Sequence, residues 1–131
     1  MADKARLLAA KALLRVSSGG FSNIVLDSML GEAKLDQRDK AFASALFYGV
    51  LERRITIDIL IRRYSAIPPE KLDPEAAEVL RMGFYQLLYM NSVPDNAAVN
   101  ESVELIKELG CPKASGFVNG ILRAFVRNGK N

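Results

Sequence analysis

Apolar residues recur along most of this chain at three- and four-residue intervals, the period of a helix that buries one face. In the opening stretch Ala5, Leu8, Ala9, Ala12, Leu13 and Val16 fall on one side of such a helix. The punctuation between periodic stretches is dense. Asp3 stands where it caps a first helix, and the Gly19-Gly20 pair closes it. Ser22 is placed to cap a short second helix ending near Gly31, and Asp36, with Asp39 in the first turn, opens a third. Asp73-Pro74-Glu75 combines a cap, a proline at the first helical position and an acid on the positive end of the dipole. Pro94-Asp95 opens another helix that closes at Leu109-Gly110, with Pro112 just beyond. The pattern predicts helices over about 3–18, 22–31, 36–52, 54–64, 74–91, 95–109 and 113–128.

The stretch Ile55-Thr56-Ile57-Asp58-Ile59-Leu60-Ile61 also fits a strand, because its isoleucines alternate. No second stretch offers it a strand partner, and Ile55/Ile59 and Ile57/Ile61 align at helical spacing, so it reads as helix. Val79 to Met90 contains only Arg81 and Gln86 as strongly polar residues. A helix so apolar around its circumference belongs at the centre of a bundle, and Gly83 inside it implies a neighbour packing close. The fold class expected is all-α: one domain, residues 1–131, a compact bundle of about seven helices.

Composition narrows the chemistry. Histidine and tryptophan are absent and Cys111 is the one cysteine, so no histidine-based metal site, catalytic triad or internal disulfide can be assembled. Cys111 precedes a helix N-terminus, a place that lowers a thiol's pKa, but with no histidine to activate it the residue reads as a buried structural thiol. One unpaired thiol fits a reducing cytoplasm, and no apolar run is long enough to span a bilayer. Carboxylates sit at helix starts (Asp73, Glu75, Asp95) or on a spaced, solvated face (Glu101, Glu104, Glu108). Neither a phosphate-binding glycine loop nor a metal-ligand cluster is present, so the expectation is no catalytic residue, no metal and no cofactor in this chain.

Charge points to binding. The net charge of +3 conceals basic ends: residues 1–20 carry +3, residues 111–131 carry +4, and residues 73–110 carry −5. Lys4, Lys11 and Arg15 fall within roughly 40° of one another on the first helix, in register to track a phosphate backbone, with Arg6 on the opposite flank. On the last helix Ala114, Phe117, Ile121, Ala124 and Phe125 read as core, while Gly116, Asn119, Gly120, Arg123 and Arg127 share the other face. There the glycines permit either close approach of a partner or packing of another helix, with Asn119 bonding its backbone. Arg53-Arg54 and Arg62-Arg63 read as solvated helix ends. The aromatics fall mostly at core positions, so nucleic-acid binding would be led by phosphates and shape.

Several long stretches carry a resemblance. NIVLDSML, LDQRDKAFASALFYGVLERRITID, KLDPEAAEVLRMGFYQLLYMNSVPDNAAVNESVELIKELG and GFVNGILRAF resemble the NusB-like family, from about residue 4 to residue 127. Within it, VPDNAAVNESVELIK and GFVNGILRAFVR are most similar to the N-terminal domain of the 16S ribosomal RNA cytosine-5 methyltransferases, the RsmB (Sun/Fmu) branch. The resemblance implies a bundle of about seven helices that binds RNA without catalysis. In that branch a Rossmann-like domain follows, carrying a cysteine nucleophile and the S-adenosylmethionine site; Cys111, in Gly-Cys-Pro, does not match that nucleophile. The chain is thus expected to be an isolated domain or a stand-alone homologue. Arg6 aligns with a basic position of the family's RNA-binding first helix, and Arg123, following FVNGIL, lies by resemblance close to the same surface. Asn100 and Asn119 match family positions and read first as helix-packing amides.

The candidate RNA-binding residues are therefore Lys4, Arg6, Lys11, Arg15, Asn119, Arg123 and Arg127. The leading expectation is a domain that positions 16S rRNA for a following methyltransferase domain. One alternative is an antitermination factor of the NusB type that binds leader RNA and a ribosomal protein. Another is a protein-interaction module that docks through Gly116, Gly120 and exposed Leu7 and Leu14.

Overall fold

The computed structural model describes residues 2–130. Seven α-helices follow one another: α1 (Lys4–Ser17), α2 (Ser22–Glu32), α3 (Gln37–Glu52), α4 (Arg54–Tyr64), α5 (Pro74–Tyr89), α6 (Asp95–Glu108) and α7 (Ser115–Asn128). Short 3-10 turns at Pro69–Lys71 and Pro112–Ala114 precede α5 and α7. Each helix lies within about two residues of the span its sequence pattern predicts. The second turn, with Pro112 at its first position, takes up the start of the expected last helix.

Two of the expected caps form and two do not. Asp3 accepts from the Arg6 N–H and Asp36 from the Asp39 N–H, at 3.1 and 2.8 Å. Ser22 is already the first helical residue of α2, whose capping position is Phe21 with no side-chain bond. Asp73 stands at the capping position of α5 and its carbonyl accepts from the Ala77 N–H at 3.0 Å, but its side chain makes no capping bond, leaving Pro74 and Glu75 to shape that first turn.

α5 is the spine. Eleven of its sixteen residues are buried, and α1, α3, α4, α6 and α7 all pack on it. Close approach is built in by missing side chains: a Cβ on Gly83 would lie 2.8 Å from Leu122 and 3.2 Å from the Ser102 hydroxyl. Phe84 of α5, Phe125 of α7 and Tyr64 of α4 form an aromatic cluster, with ring centroids of Phe84 and Phe125 4.7 Å apart. α4 is helical as its i, i+4 spacing predicts, with Ile57 and Ile61 buried and Ile55 and Ile59 facing out. On α7 the buried face is rotated from the predicted one. Val118 and Leu122 join Ile121 and Phe125 in the core, while Phe117 and Ala124 are half-buried, because α7 must cover α5 and α6 together.

Charge is also buried in the spine. Glu78 and Arg81 lie one helical turn apart on α5, 1% and 6% exposed. Arg81 donates to both oxygens of Asp58 on α4, at 2.7 and 3.1 Å, and to Glu78 at 3.2 Å. Arg54, expected as a solvated helix end, instead donates to both Glu78 oxygens at 3.2 and 3.4 Å. Burial works to lower the pKa of Arg81, but its hydrogen bonds to Asp58 and the charges of Glu78 and Asp58 outweigh it and raise the value. Arg62 is paired as well, with Glu70 at the surface, and Arg53 stacks over Tyr89. No helix is long and apolar enough to cross a membrane.

Replacing Arg81 strands Asp58 and leaves the buried Glu78 to Arg54 alone. Arg81→Leu is expected to cost about 3–5 kcal/mol in urea unfolding, and Arg62→Ala, in the exposed and solvent-screened pair, far less. Equal costs would show that the α4–α5 network carries no special weight.

Candidate nucleic-acid interface

The first helix presents three cations to solvent. α1 contains no acidic residue, and Lys4, Lys11 and Arg15 are all exposed on the face opposite its buried alanines and leucines. Among the described residues none of the three makes an ion pair, so their charge is not neutralised within the fold. At 1.5 Å per residue the stripe is about 16 Å long, enough to meet successive phosphates of one strand.

Arg6 does not belong to it. The side chain turns inward and is 8% exposed; its Nε donates to Gln86 Oε1 at 2.7 Å and its Nη1 to the Asp3 carboxylate. The guanidinium also lies 4.9 Å from the ring of Phe42. The expectation that Arg6 contacts RNA is thus corrected. α2, α3 and α5 enclose α1 so widely that even the flank carrying Arg6 and Ala10 is buried. Leu7 and Leu14, expected as an exposed apolar patch, are half-buried, and Leu7 packs against the core.

The α7 face is open. Nothing lies within 4 Å of a Cβ placed on Gly116 or Gly120, so no helix of this chain packs there. Asn119 Oδ1 accepts from Arg123 Nε at 3.0 Å, and Asn100 Oδ1 on α6 accepts from Arg123 Nη2 at 3.3 Å. The two amides therefore form a surface clip for the arginine rather than buried packing contacts. Arg123 and Arg127 are exposed. α1 and α7 both lie against α5, and neither packs extensively on the other, so the predicted cations divide between two separate helices.

The remaining chemistry is structural. Glu101 and Glu108, expected on a solvated face, accept the backbone N–H groups of Asp3 and Ala2 at 3.0 Å and tie the start of the chain to α6. Cys111 is half-buried in an open cleft of about 570 Å³ lined also by Asp73, Gly110, Pro112 and Lys113. Burial, with the nearby charges of Glu75 and Asp73, pushes its thiol above the usual range, the reverse of an activated nucleophile. Among the described residues there is no strand.

Phe21 is a surface residue that the helical pattern does not mark. It follows the Gly19-Gly20 turn at the end of α1 and is 76% exposed, with Ile24 at 63%. An aromatic directly after a glycine pair, outside any helical stripe, was the available signal.

The comparisons with known proteins agree with this architecture. Residues 3–127 match the NusB family, and the chain belongs to it. It is 34% identical over 122 residues to the transcription antitermination protein NusB of Bacillus licheniformis, an alignment covering 91% of this chain and 93% of that protein. It is 32% identical over 125 residues to the probable ribosomal RNA small subunit methyltransferase B of Bacillus subtilis, covering 95% of this chain and 28% of that protein. The corresponding Synechocystis protein is 37% identical over 114 residues, covering 85% of this chain and 26% of its own length. The chain thus spans about a quarter of the methyltransferases it matches. Among solved structures, T. maritima NusB superposes with a TM-score of 0.88 at 27% identity over 100% of this chain and 96% of that one. The fold is shared, with a TM-score of 0.85 at 23% identity, by a chain from the crystal structure of antitermination factors NusB and NusE in complex with dsRNA, over 94% of this chain and 93% of that one.

Because Gly116 and Gly120 face open space inside a helix, Gly116→Ala and Gly120→Ala are each expected to stabilise the fold, by about 0.5–1 kcal/mol in thermal unfolding. A loss of stability would reveal a surface packed against them.

Proposed function

We propose that this chain is a non-catalytic, RNA-binding module of the NusB type that grips the phosphate backbone through the outer face of α1. The observation that carries the proposal is the exposed stripe of Lys4, Lys11 and Arg15, three cations in register on a helix with no acid. The NusB family membership and the neighbouring fold found with dsRNA support it. Arg123 and Arg127 on α7 supply a second basic surface, with Asn119 holding Arg123 in place.

Two settings fit such a module. A stand-alone antitermination role, with leader RNA and a ribosomal protein as partners in the cytoplasm, is favoured by the end-to-end match to a NusB of nearly the same length. Presentation of 16S rRNA to a covalently linked, S-adenosylmethionine-dependent methyltransferase domain is supported by the identities of up to 37% with much longer methyltransferases. The two differ in RNA preference.

Fluorescence anisotropy against a leader RNA and a 16S rRNA fragment, at several salt concentrations, tests both levels. Tighter binding to leader RNA is the result expected of the antitermination setting, and preference for the rRNA fragment that of the methyltransferase setting. In either, combined Lys4→Glu, Lys11→Glu and Arg15→Glu is expected to flatten the dependence of log affinity on log salt by about 2, given roughly 0.7 per single-strand phosphate contact. Unchanged affinity and slope in that variant would contradict the assignment of α1.

A further inference from the structure

The turn that follows the basic helix α1 leads into an exposed ring. Gly19, with φ of +117°, reverses the chain after α1, and the Gly20 N–H donates to the Arg15 carbonyl at 3.2 Å. A Cβ on Gly20 would lie 2.6 Å from Val25 and 3.3 Å from that same carbonyl, so the turn is pressed against both helices. Phe21 is the next residue. Its backbone is fixed as the capping position of α2, its carbonyl accepts from the Val25 N–H at 2.9 Å, and its ring is left 76% exposed. Every other phenylalanine of the described chain is buried or half-buried. Between Asp3 and Asp27 the chain carries no acid and three exposed basic residues, Lys4, Lys11 and Arg15, so this stretch of surface suits a polyanion.

We infer that Phe21 is a base-stacking residue: phosphates of a single-stranded RNA lie along Lys4, Lys11 and Arg15, and a nucleobase emerging past Arg15 stacks on the Phe21 ring. Phosphate contact alone gives affinity without holding a base, whereas an aromatic face beside a cationic track is the combination that grips single strands of any sequence. A duplex keeps its bases stacked on one another and leaves the ring unused. This inference rests on the RNA-binding reading of α1 and adds to it one named stacking residue.

The chain has no tryptophan, so Phe21→Trp introduces one fluorophore at the proposed stacking position. Titration with a mixed-sequence 12-nucleotide single-stranded RNA is expected to quench that indole, and the same sequence as a duplex to leave it largely unquenched. Phe21→Ala is expected to weaken single-strand binding roughly 5- to 100-fold, the range of one stacked base, while Phe21→Tyr keeps it within about twofold. Single-strand binding that is unaffected by Phe21→Ala and leaves the indole unquenched overturns the stacking role alone, and returns Phe21 and Ile24 to an apolar surface for a protein. Failure of the unsubstituted chain to bind either RNA overturns the RNA-binding reading beneath it.

Discussion

α5 has almost no side to offer to water, and that constraint organises the molecule. Its apolar circumference is satisfied only when α1, α3, α4, α6 and α7 surround it, and Gly83 lets Leu122 come close enough to close the packing. The polar groups α5 does carry, Glu78, Arg81 and Gln86, are then buried by necessity and must be answered from neighbouring helices. Asp58 and Arg54 answer the first two, and Arg6 answers Gln86.

This sorts the arginines and lysines by task. Arg6, Arg54 and Arg81 are consumed by the interior, where each compensates a group that burial would otherwise strand. Lys4, Lys11, Arg15 and Arg127 make no ion pair among the described residues, and Arg123 is held only by neutral amides. A modest net charge of +3 therefore understates the cationic surface of the first and last helices.

Much of the fold was legible from residues acting locally. Asp3 and Asp36 cap as their positions imply, prolines and glycines mark the helix limits, and the i, i+4 isoleucines decide α4. What was not legible depends on how many neighbours a helix has. A helical wheel assumes one buried face, but α1 has three partners, so Arg6 and Ala10 go inside along with the predicted stripe. α7 similarly serves α4, α5 and α6, and Val118 and Leu122 enter its core face. For the candidate site, the spacing of Lys4, Lys11 and Arg15 was sufficient to place them together. The clip around Arg123 joins two helices far apart in sequence, and the exposure of Phe21 follows from a turn that holds its neighbours and leaves its ring out.

The central claim is that RNA meets this bundle along the outer face of α1 and the turn that follows it. Mapping of backbone amide chemical shifts during titration with RNA tests that claim most directly. The account predicts perturbations centred on Lys4, Lys11, Arg15 and the residues from Ser18 to Phe21, weaker ones near Arg123, and none at the buried Arg81 network. Perturbations confined to the Ile55–Ile59 face of α4 or to the Cys111 cleft would contradict it.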